Sequence, residues 1–459
     1  MIHSRILIAA FALLQHQLVL AAPTSNVNTT ISSAVHSTFT HSHSTSSTSG
    51  TPVGTSTAAG TTFTAGLTSD DPNDSFLDEF QNEIPEAIRG TLGATVIGPQ
   101  NIPLDRQSPD FLAPPTTDVG SVDNAKWPFS LSHNRLQTGG WARQQNVGTM
   151  PLATAMAGVN MRLEAGAIRE LHWHGLAEWG YVLKGTTRIT ALTPEGQNYE
   201  ADINPGDIWY FPAGYPHSLQ GTNATAEGSE FLLVFDSGNF DEDVTFPISD
   251  WLAHVPKEVL AKNFGADISA FNDIPAKELY IFPGTPPPPL EQDIVSDPLG
   301  HANPAISFAW SQVAPTPAKG GSFKVVDSTN FPISKTIAAA DVIVDVGGMR
   351  EMHWHPTQPE WSFFISGQAR VTIFAGTGNS RTFNYQAGDI GYVPPSSGHY
   401  VENIGNETLH FLEIFRTDKF EDVSLNQWLA LTPPEIVKAN LNIDDATFAL
   451  FNKTKQTVV

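Results

Sequence analysis

The chain has 459 residues, of which 40% are hydrophobic and 10% aromatic, enough to bury substantial cores and to exclude a wholly disordered protein. Its 47 acidic against 24 basic residues give a formal charge of −23, which argues against a nucleic-acid partner because phosphate binding needs basic patches. The absence of cysteine excludes disulfides, thiolate catalysis, iron–sulfur clusters and cysteine–zinc sites, so any metal must be held by His, carboxylates, other oxygen ligands or water.

Residues 1–21 have the pattern of a secretory signal peptide. Arg5 supplies positive charge, an apolar run extends from 6 to 14, and small residues precede Pro23. The run is too short for a membrane anchor, so we expect cleavage near Ala21 and a secreted, extracellular protein that spans no membrane. Five Asn-x-Ser/Thr sequons are compatible with a glycoprotein: Asn28, Asn73, Asn223, Asn406 and Asn452.

Residues 22–75 form a segment in which Ser and Thr dominate and almost nothing can form a core. This composition predicts a disordered arm. An N-terminal extension over 76–125 follows it, and order is expected to begin there.

The rest of the chain repeats itself. The triplet His-Trp-His at 172–174 recurs at 353–355, Glu-Trp at 178–179 recurs at 360–361, and Gly-Asp at 206–207 recurs at 388–389. A single residue inserted between the second His and the Glu explains the change of offset from 181 to 182. An ordered series of matches along most of a domain indicates an internal duplication.

Each copy consists of short alternating strands, such as 180–185 and 369–374, separated by Gly, Pro and Asn turns. This pattern predicts an all-β-dominated fold with a double-sheet barrel in each copy. Helix-like stretches at 249–264 and 425–441 close the two copies. A Pro-rich segment at 283–289 predicts a stiff, extended connector.

Three His and one Glu recur in register in both copies. Imidazoles two positions apart in a strand point to the same side, so each pair can face one interior. The candidate metal ligands are His172, His174, Glu178 and His217 in the first copy, and His353, His355, Glu360 and His399 in the second. Such a nitrogen and oxygen donor set with open positions suits octahedral Mn(II) or Fe(II), while zinc stays open. Buried structural histidines are the alternative, which the repetition disfavours.

The spacing of these ligands resembles a known superfamily. The first copy carries Gly-x5-His-x-His-x3-Glu-x6-Gly over 166–185 and Gly-x5-Pro-x-Gly-x2-His over 206–217, which resemble the two signature motifs of the cupins. The second copy departs with Ser396 in place of a usual Gly, and the first has Gly221 in place of a common Asn. Longer stretches, at 169–174, 177–179, 209–212, 382–389 and 401–405, look like the bicupin oxalate decarboxylases.

The resemblance covers about 84–450 and implies two tandem cupin β-barrels of the double-sheet jelly-roll type with short flanking helices. It implies a first cupin domain at 126–265, a connector at 266–305, a second cupin domain at 306–445 and a C-terminal tail at 446–459. It also implies two Mn(II) ions per chain and a dioxygen cofactor that is needed but not consumed. The substrate implied is a small molecule, oxalate, which is split to formate and carbon dioxide. The sequence leaves a homo-oligomer open.

Four further residues receive catalytic roles through this resemblance. Arg169 and Arg350 precede the first His of each copy by three residues and are expected to bind substrate. Strict alternation would direct each Arg away from that His, so a bulge or a bend is needed in the strand. Glu242 lies in a segment at 241–245, three residues longer than its counterpart, that matches the family's mobile lid, and is expected to transfer the proton. Glu413, at the position of Leu233, is expected to play a supporting role and must be paired or lie near a metal, since it interrupts an apolar strand.

Three other functions stay open on the sequence alone. An oxalate oxidase would release carbon dioxide and hydrogen peroxide, and Asp243-Val244 departs from the family's usual small polar lid residues. Storage bicupins typically lose their metal ligands, whereas all eight are present here. A bicupin dioxygenase for aromatic substrates would need a larger apolar pocket, and the paired arginines argue against it.

Overall fold

The computed structural model describes residues 84–459. The predicted signal peptide, the predicted disordered arm and the sequons at Asn28 and Asn73 lie outside the described residues. The described part of the N-terminal extension contains a small hairpin and two short helices: β1 (Ala87–Arg89), β2 (Leu92–Ala94), α1 (Ile102–Gln107) and α2 (Pro109–Leu112). A strand β3 (Lys126–Pro128) follows them.

The first repeat forms two facing antiparallel sheets. One sheet has the order β10-β9-β12-β7-β14 with β15 also paired to β7, and the other has the order β16-β11-β8-β13-β6-β5-β4. The strands are β4 (Asn134–Gln137), β5 (Gly140–Gln145), β6 (Ala157–Leu163), β7 (Ile168–Trp173), β8 (Glu178–Lys184), β9 (Thr187–Leu192), β10 (Asn198–Ile203), β11 (Ile208–Phe211), β12 (His217–Gly221), β13 (Ser229–Phe235), β14 (Phe246–Pro247), β15 (Ile281–Phe282) and β16 (Ser307–Phe308).

The second repeat has the same two-sheet arrangement. Its sheets have the orders β17-β18-β19-β26-β21-β24-β3 and β23-β22-β25-β20-β27. The strands are β17 (Thr316–Ala318), β18 (Gly321–Val326), β19 (Ala338–Val344), β20 (Met349–Trp354), β21 (Glu360–Ser366), β22 (Gln368–Phe374), β23 (Ser380–Gln386), β24 (Asp389–Val393), β25 (His399–Asn403), β26 (Leu409–Phe415) and β27 (Val423–Ser424). The predicted β-dominated double-sheet architecture is therefore confirmed.

The two repeats exchange edge strands. Strand β3, which precedes the first repeat, pairs with β24 of the second, and β16, which precedes the second repeat, pairs with β11 of the first. Residues 126–128, expected at the start of the first cupin domain, thus complete the sheet of the second repeat.

Three apolar cores follow from this arrangement. One core fills the interior of each repeat, and a third contains residues from both, including Trp179, Trp310 and Trp361. Strands β8 and β26 are almost fully buried along their length because one face packs inside its own repeat and the other between repeats. Such strands appear in sequence as apolar runs, not as clean alternation.

Each helical stretch consists of two short helices, where the sequence suggested one. They are α3 (Ile248–Ala253) and α4 (Lys257–Phe264) in the first repeat, and α6 (Leu425–Ala430) and α7 (Pro434–Leu441) in the second, with α5 (Leu290–Asp293) and α8 (Asp445–Phe448) elsewhere. Pro256 and Pro433 stand at the N-caps of α4 and α7, where a missing amide proton costs nothing but where a preceding helix cannot continue. Within residues 84–459, the helices lack the length and apolar composition that a membrane span requires.

The C-terminal residues belong to the second repeat. The backbones of Met349 and Val459 exchange two hydrogen bonds of 2.8 and 2.9 Å, and Val458 bridges Arg350. In the first repeat, β15 takes the equivalent place, with Ile281 opposite Arg169. The tail therefore pairs with the edge of β20 through an isolated β-bridge.

Candidate metal centres and active site

A β-bulge brings an arginine and a histidine together in each repeat. His172 lies opposite His217, but Arg169 lies opposite Leu219, so β7 carries one extra residue between these pairs. Strand β20 shows the same irregularity against β25. The extra residue shifts the alternation and turns Arg169 toward the side of His172. Of the bulge or bend that the sequence required, the structure shows a bulge in both repeats.

The first cluster joins four buried side chains from three strands. His172 is in β7, His174 lies one residue beyond it, and Glu178 and His217 are the first residues of β8 and β12. Their ligand atoms lie within 4.8 Å of one another. The Nε2 atoms of His174 and His217 are 3.2 and 3.6 Å from the same Glu178 oxygen. Its other oxygen accepts a 3.0 Å hydrogen bond from the Trp209 indole, which orients the carboxylate.

Backbone carbonyls set the direction of each imidazole. The Nδ1 atoms of His172, His174 and His217 lie 2.6–2.8 Å from the carbonyl oxygens of Glu170, Leu176 and Tyr215. If Nδ1–H donates to a carbonyl, the Nε2 lone pair points into the cluster, which is the arrangement seen at metal-binding histidines. The buried Nε2 of His217 has no hydrogen-bond partner among the described residues.

The charge states in this cluster also suit a metal. Burial, with the nearby Arg169 and imidazoles, lowers the pKa of His172 well below its ordinary value, which keeps the ring neutral. Burial raises the pKa of Glu178, but the imidazoles of His174 and His217 outweigh it and hold that pKa below the ordinary value. Neutral imidazoles and an ionised carboxylate are the forms that bind a cation.

The second cluster repeats this geometry. The Nε2 atoms of His355 and His399 lie 3.2 and 3.0 Å from one Glu360 oxygen, and Ser362 donates a 2.6 Å hydrogen bond to the other. The buried Nε2 atoms of His353 and His355 have no hydrogen-bond partner in the described part of the chain. The structure thus assembles the eight predicted ligands into two buried groups of three imidazoles and one carboxylate. This donor set fits one divalent cation per repeat with coordination positions left for other ligands.

The lid segment 241–245 closes a cavity over the first cluster. The polar wall of this small cavity consists of His172, His174, Glu178, Arg169, Glu242 and Thr245. Glu242 is 5% exposed although Val244, two residues on, is 71% exposed, so the lid turns its Glu inward. Burial raises the pKa of Glu242, opposed by Tyr280 and Arg169. The raised pKa makes Glu242 a weaker acid than an exposed glutamate, which suits a group that holds and releases a proton beside the metal ligands.

Tyr280 and Arg169 flank the lid carboxyl. The Tyr280 hydroxyl donates a hydrogen bond to Glu242, and the Arg169 guanidinium lies 4.3 Å from the centre of the Tyr280 ring. The hydrogen bonds of Arg169 to the Tyr280 carbonyl and the Thr245 hydroxyl are long, at 3.5 and 3.4 Å. The ion pairs of residues 84–459 do not include Arg169. Its charge is therefore available to an anion in the cavity.

Arg350 is paired where Arg169 is not. Its guanidinium donates to Glu413 at 3.1 Å and to Asp422 at 2.7 Å, and all three side chains are almost completely buried. Lys455 of the C-terminal tail also pairs with Asp422. The expectation that Glu413 is paired is confirmed. The second repeat thus carries a closed ion-pair network beside its cluster.

The comparisons with known proteins agree with this architecture. Two segments of the chain, residues 131–270 and 314–448, match the Cupin family. The chain is 52% identical over 379 residues to the oxalate decarboxylase OxdC of Bacillus subtilis, covering 83% of this chain and 98% of the relative. A probable oxalate decarboxylase of Arthroderma benhamiae is 43% identical over 370 residues, which are 80% of this chain and 91% of that protein.

The chain belongs to the bicupin oxalate decarboxylase family. A solved structure of the Bacillus subtilis oxalate decarboxylase, from work on the EPR parameters of its Mn(II) centres, matches this fold with a TM-score of 0.80 at 51% identity. That match covers 82% of this chain and 99% of the bacterial one. Membership of this family accounts for both the duplication and the paired ligand sets.

Two residues of these bicupin sites were missed in the sequence. Tyr280 falls in the segment expected to be a connector, and its unusual positive φ of 59° is visible only in the structure. The Glu170 carboxylate holds the backbone at Tyr280 in this conformation by accepting hydrogen bonds from the Leu279 and Tyr280 amides at 2.7 and 2.9 Å. Asp422 aligns with Glu242 at the offset that relates Phe240 to Phe420, so the repeat itself carried the signal for it.

Proposed function

We propose that the protein is a secreted, manganese-dependent oxalate decarboxylase whose first repeat performs the chemistry. One observation carries the assignment: the unpaired Arg169 and the buried lid carboxyl of Glu242 line the same small cavity as the first cluster. The family relationship supports the same substrate, since relatives that align with most of the chain are named oxalate decarboxylases. Catalytic roles for Arg169 and Glu242 are part of this proposal.

Oxalate has two carboxylates and no apolar group, so a site must recognise it by charge. His172, His174, Glu178 and His217 would hold the metal, which leaves coordination positions for one end of the substrate. Arg169 can bind the other end with two parallel hydrogen bonds. The apolar walls, including Leu219, Leu233 and Phe235, exclude water and strengthen these contacts.

The reaction is redox-neutral overall, because one hydrogen oxalate ion gives one formate ion and one carbon dioxide. The carbon–carbon bond breaks, and a proton must reach the carbon that becomes formate. When bound, manganese with dioxygen would supply the one-electron chemistry that opens this route. Glu242 would hold the substrate proton and return it to carbon, while the Tyr280 hydroxyl orients its carboxyl. The closed lid keeps water away during this step.

The second repeat is proposed to bind metal without turning over oxalate. Glu413 and Asp422 neutralise Arg350, so its guanidinium cannot receive a carboxylate without breaking a buried ion pair. Glu413 and Arg350 then have a structural role beside the second cluster. Their first-copy counterparts show the contrast, because Leu233 replaces Glu413 and Arg169 is unpaired.

Product analysis tests the assignment. Manganese-loaded protein is incubated with oxalate in air, and formate, carbon dioxide and hydrogen peroxide are measured together. We expect formate and carbon dioxide in equal amounts with little peroxide. Abundant peroxide with little formate would identify an oxalate oxidase instead. Protein that purifies with intact clusters but binds no metal and consumes no oxalate would support a storage role.

Secretion and glycosylation are proposed on the sequence of the first 21 residues and on the sequons. Asn223, Asn406 and Asn452 are all exposed, which is compatible with modification. The full chain is expressed in a eukaryotic host and collected from the medium. N-terminal sequencing then tests signal cleavage, and mass measurement before and after glycosidase treatment tests glycosylation. We expect a new N-terminus near Pro23 and a mass decrease on glycosidase treatment. Retention of Met1 in a cell-bound protein would contradict the proposal.

A further inference from the structure

Two polar side chains of the β4–β5 hairpin hold the lid in its closed position. Arg135, on β4, donates to the Asp243 carboxylate at 2.6 Å. Gln144, on β5, donates to the Asp241 carboxylate at 3.0 Å and accepts a 3.1 Å hydrogen bond from the Glu242 amide. Three consecutive lid residues are therefore attached to the β4–β5 hairpin.

Arg135 connects the lid to Tyr280, the residue that donates a hydrogen bond to the lid carboxyl of Glu242. Its second guanidinium nitrogen donates to Glu278 at 2.5 Å, and its charge lies 3.6 Å from the centre of the Tyr280 ring. The Tyr280 hydroxyl in turn donates to Glu242. Arg135 thus links Asp243 on the lid, the Tyr280 ring and Glu278 in one contact network.

The second repeat lacks this attachment. The offset of 181 that relates the two β-hairpins places Thr316 opposite Arg135 and Val325 opposite Gln144. The hairpin registers agree, since Arg135 pairs with Ala142 and Thr316 pairs with Phe323. The first repeat, which has the longer lid, therefore carries long polar side chains at these two positions. The second repeat carries a short residue, Thr316, and an apolar one, Val325.

We propose that Arg135 and Gln144 are positioning residues that hold the lid closed and thereby favour formate over peroxide. The inference rests on the proposed function and adds a determinant of product specificity. A closed lid keeps Glu242 beside the cavity and keeps water out until the proton has been transferred. An open lid moves Glu242 away from the substrate and slows proton transfer to carbon. A larger share of the substrate is then oxidised by dioxygen, with release of hydrogen peroxide.

The two contacts differ in strength. The Asp243 side chain is 66% exposed, and an ion pair at such a position shifts an equilibrium by about two- to fivefold. Gln144 makes two hydrogen bonds in a less exposed place, and loss of both shifts the lid equilibrium by about tenfold or more. Asp243→Asn is therefore expected to open the lid less than Gln144→Val. The second variant introduces the residue of the second repeat.

Hydrogen exchange of the lid amides, followed by mass spectrometry on the manganese-loaded full chain without substrate, measures lid opening directly. Exchange in 241–246 should rise about two- to fivefold in Asp243→Asn and about tenfold in Gln144→Val, while peptides from β8 and β13 stay unchanged. Glu227→Gln is the matched control, because it removes an exposed ion pair with Lys184, which lies at the end of β8 opposite Glu178. Its lid exchange should equal that of the wild type.

The product ratio is the second readout. The formate-to-peroxide ratio should fall in the order wild type, Asp243→Asn, Gln144→Val, with Glu227→Gln at the wild-type value. Wild-type lid exchange in both variants would overturn the inference. Faster lid exchange with an unchanged product ratio would overturn its specificity part. A wild-type protein that makes no formate would refute the proposed function, whereas the exchange data would still decide whether Arg135 and Gln144 hold the lid.

Discussion

Arg169 and Arg350 occupy equivalent positions, but their partners differ, and this difference predicts opposite consequences of the same substitution. Arg169 makes only long hydrogen bonds to neutral groups of the described residues, at 3.4 and 3.5 Å. Arg350 pairs with two buried carboxylates at 2.7 and 3.1 Å. We expect Arg169→Lys to reduce turnover and Arg350→Lys to reduce stability.

The size of each effect follows from the contact that is lost. Lysine keeps the charge but makes one contact where the planar guanidinium makes two. One hydrogen bond to a charged group is worth about 1.5–3 kcal/mol, which corresponds to about a 10- to 150-fold loss of kcat/KM in Arg169→Lys. In Arg350→Lys, the same about 1.5–3 kcal/mol is subtracted from the free energy of unfolding of the second repeat.

The assay compares kcat/KM for formate release, normalised to bound manganese, with urea unfolding of both variants. Arg350→Lys serves as the matched control for Arg169→Lys, because it makes the same chemical change at the equivalent bulge. Retention of kcat/KM within about threefold of the wild type in Arg169→Lys would refute the assigned role. An equal loss of turnover in Arg350→Lys would show that the ion pairs of Arg350 do not give it a different role from Arg169.

Three further expectations follow from the same structure. Glu242→Gln should lower formate release by at least about 100-fold with unchanged manganese content, because the amide cannot transfer the proton; formate assays with metal analysis check this, and normal output would remove Glu242 from the mechanism. His217→Ala and His399→Ala should each lower metal content from two ions per chain to about one, as measured by inductively coupled plasma spectrometry, since the clusters lie in separate repeats. Burial raises the pKa of Asp422, but Arg350 and Lys455 outweigh it and hold that pKa below the ordinary value. The stability that ionised Asp422 contributes is therefore complete above the pKa of about 3.9 that it has in the unfolded chain, and it is lost as the pH falls toward its lower pKa in the folded protein. The thermal unfolding midpoint should consequently fall more steeply in acid for the wild type than for Asp422→Asn.

The sequence predicted those features that depend on local spacing. Ligand positions such as His172 and His174 follow from strand alternation, and the duplication assigns their partners. The need for a bulge or a bend before His172 could also be foreseen, because strict alternation directs Arg169 to the opposite side of the strand; the structure shows a bulge. The division of the helical stretch at Pro256 was missed although proline there is a known signal for a helix start.

Contacts between distant segments could not be predicted in this way. The exchange of β3 and β16 between repeats depends on sheet edges that come together only in the folded chain. The pairing of Asp422 with Lys455 requires the C-terminal tail to reach β20, which no local pattern encodes. The Arg135–Asp243 contact spans 108 positions and joins two polar residues that separately look like surface charges.

Formate release by His217→Ala and His399→Ala, each loaded with manganese, tests most directly whether the first repeat performs the reaction. We expect His399→Ala to keep at least about half of the wild-type formate rate per manganese ion in the first cluster and His217→Ala to release no formate above background. Formate release that survives in His217→Ala and disappears in His399→Ala would contradict it.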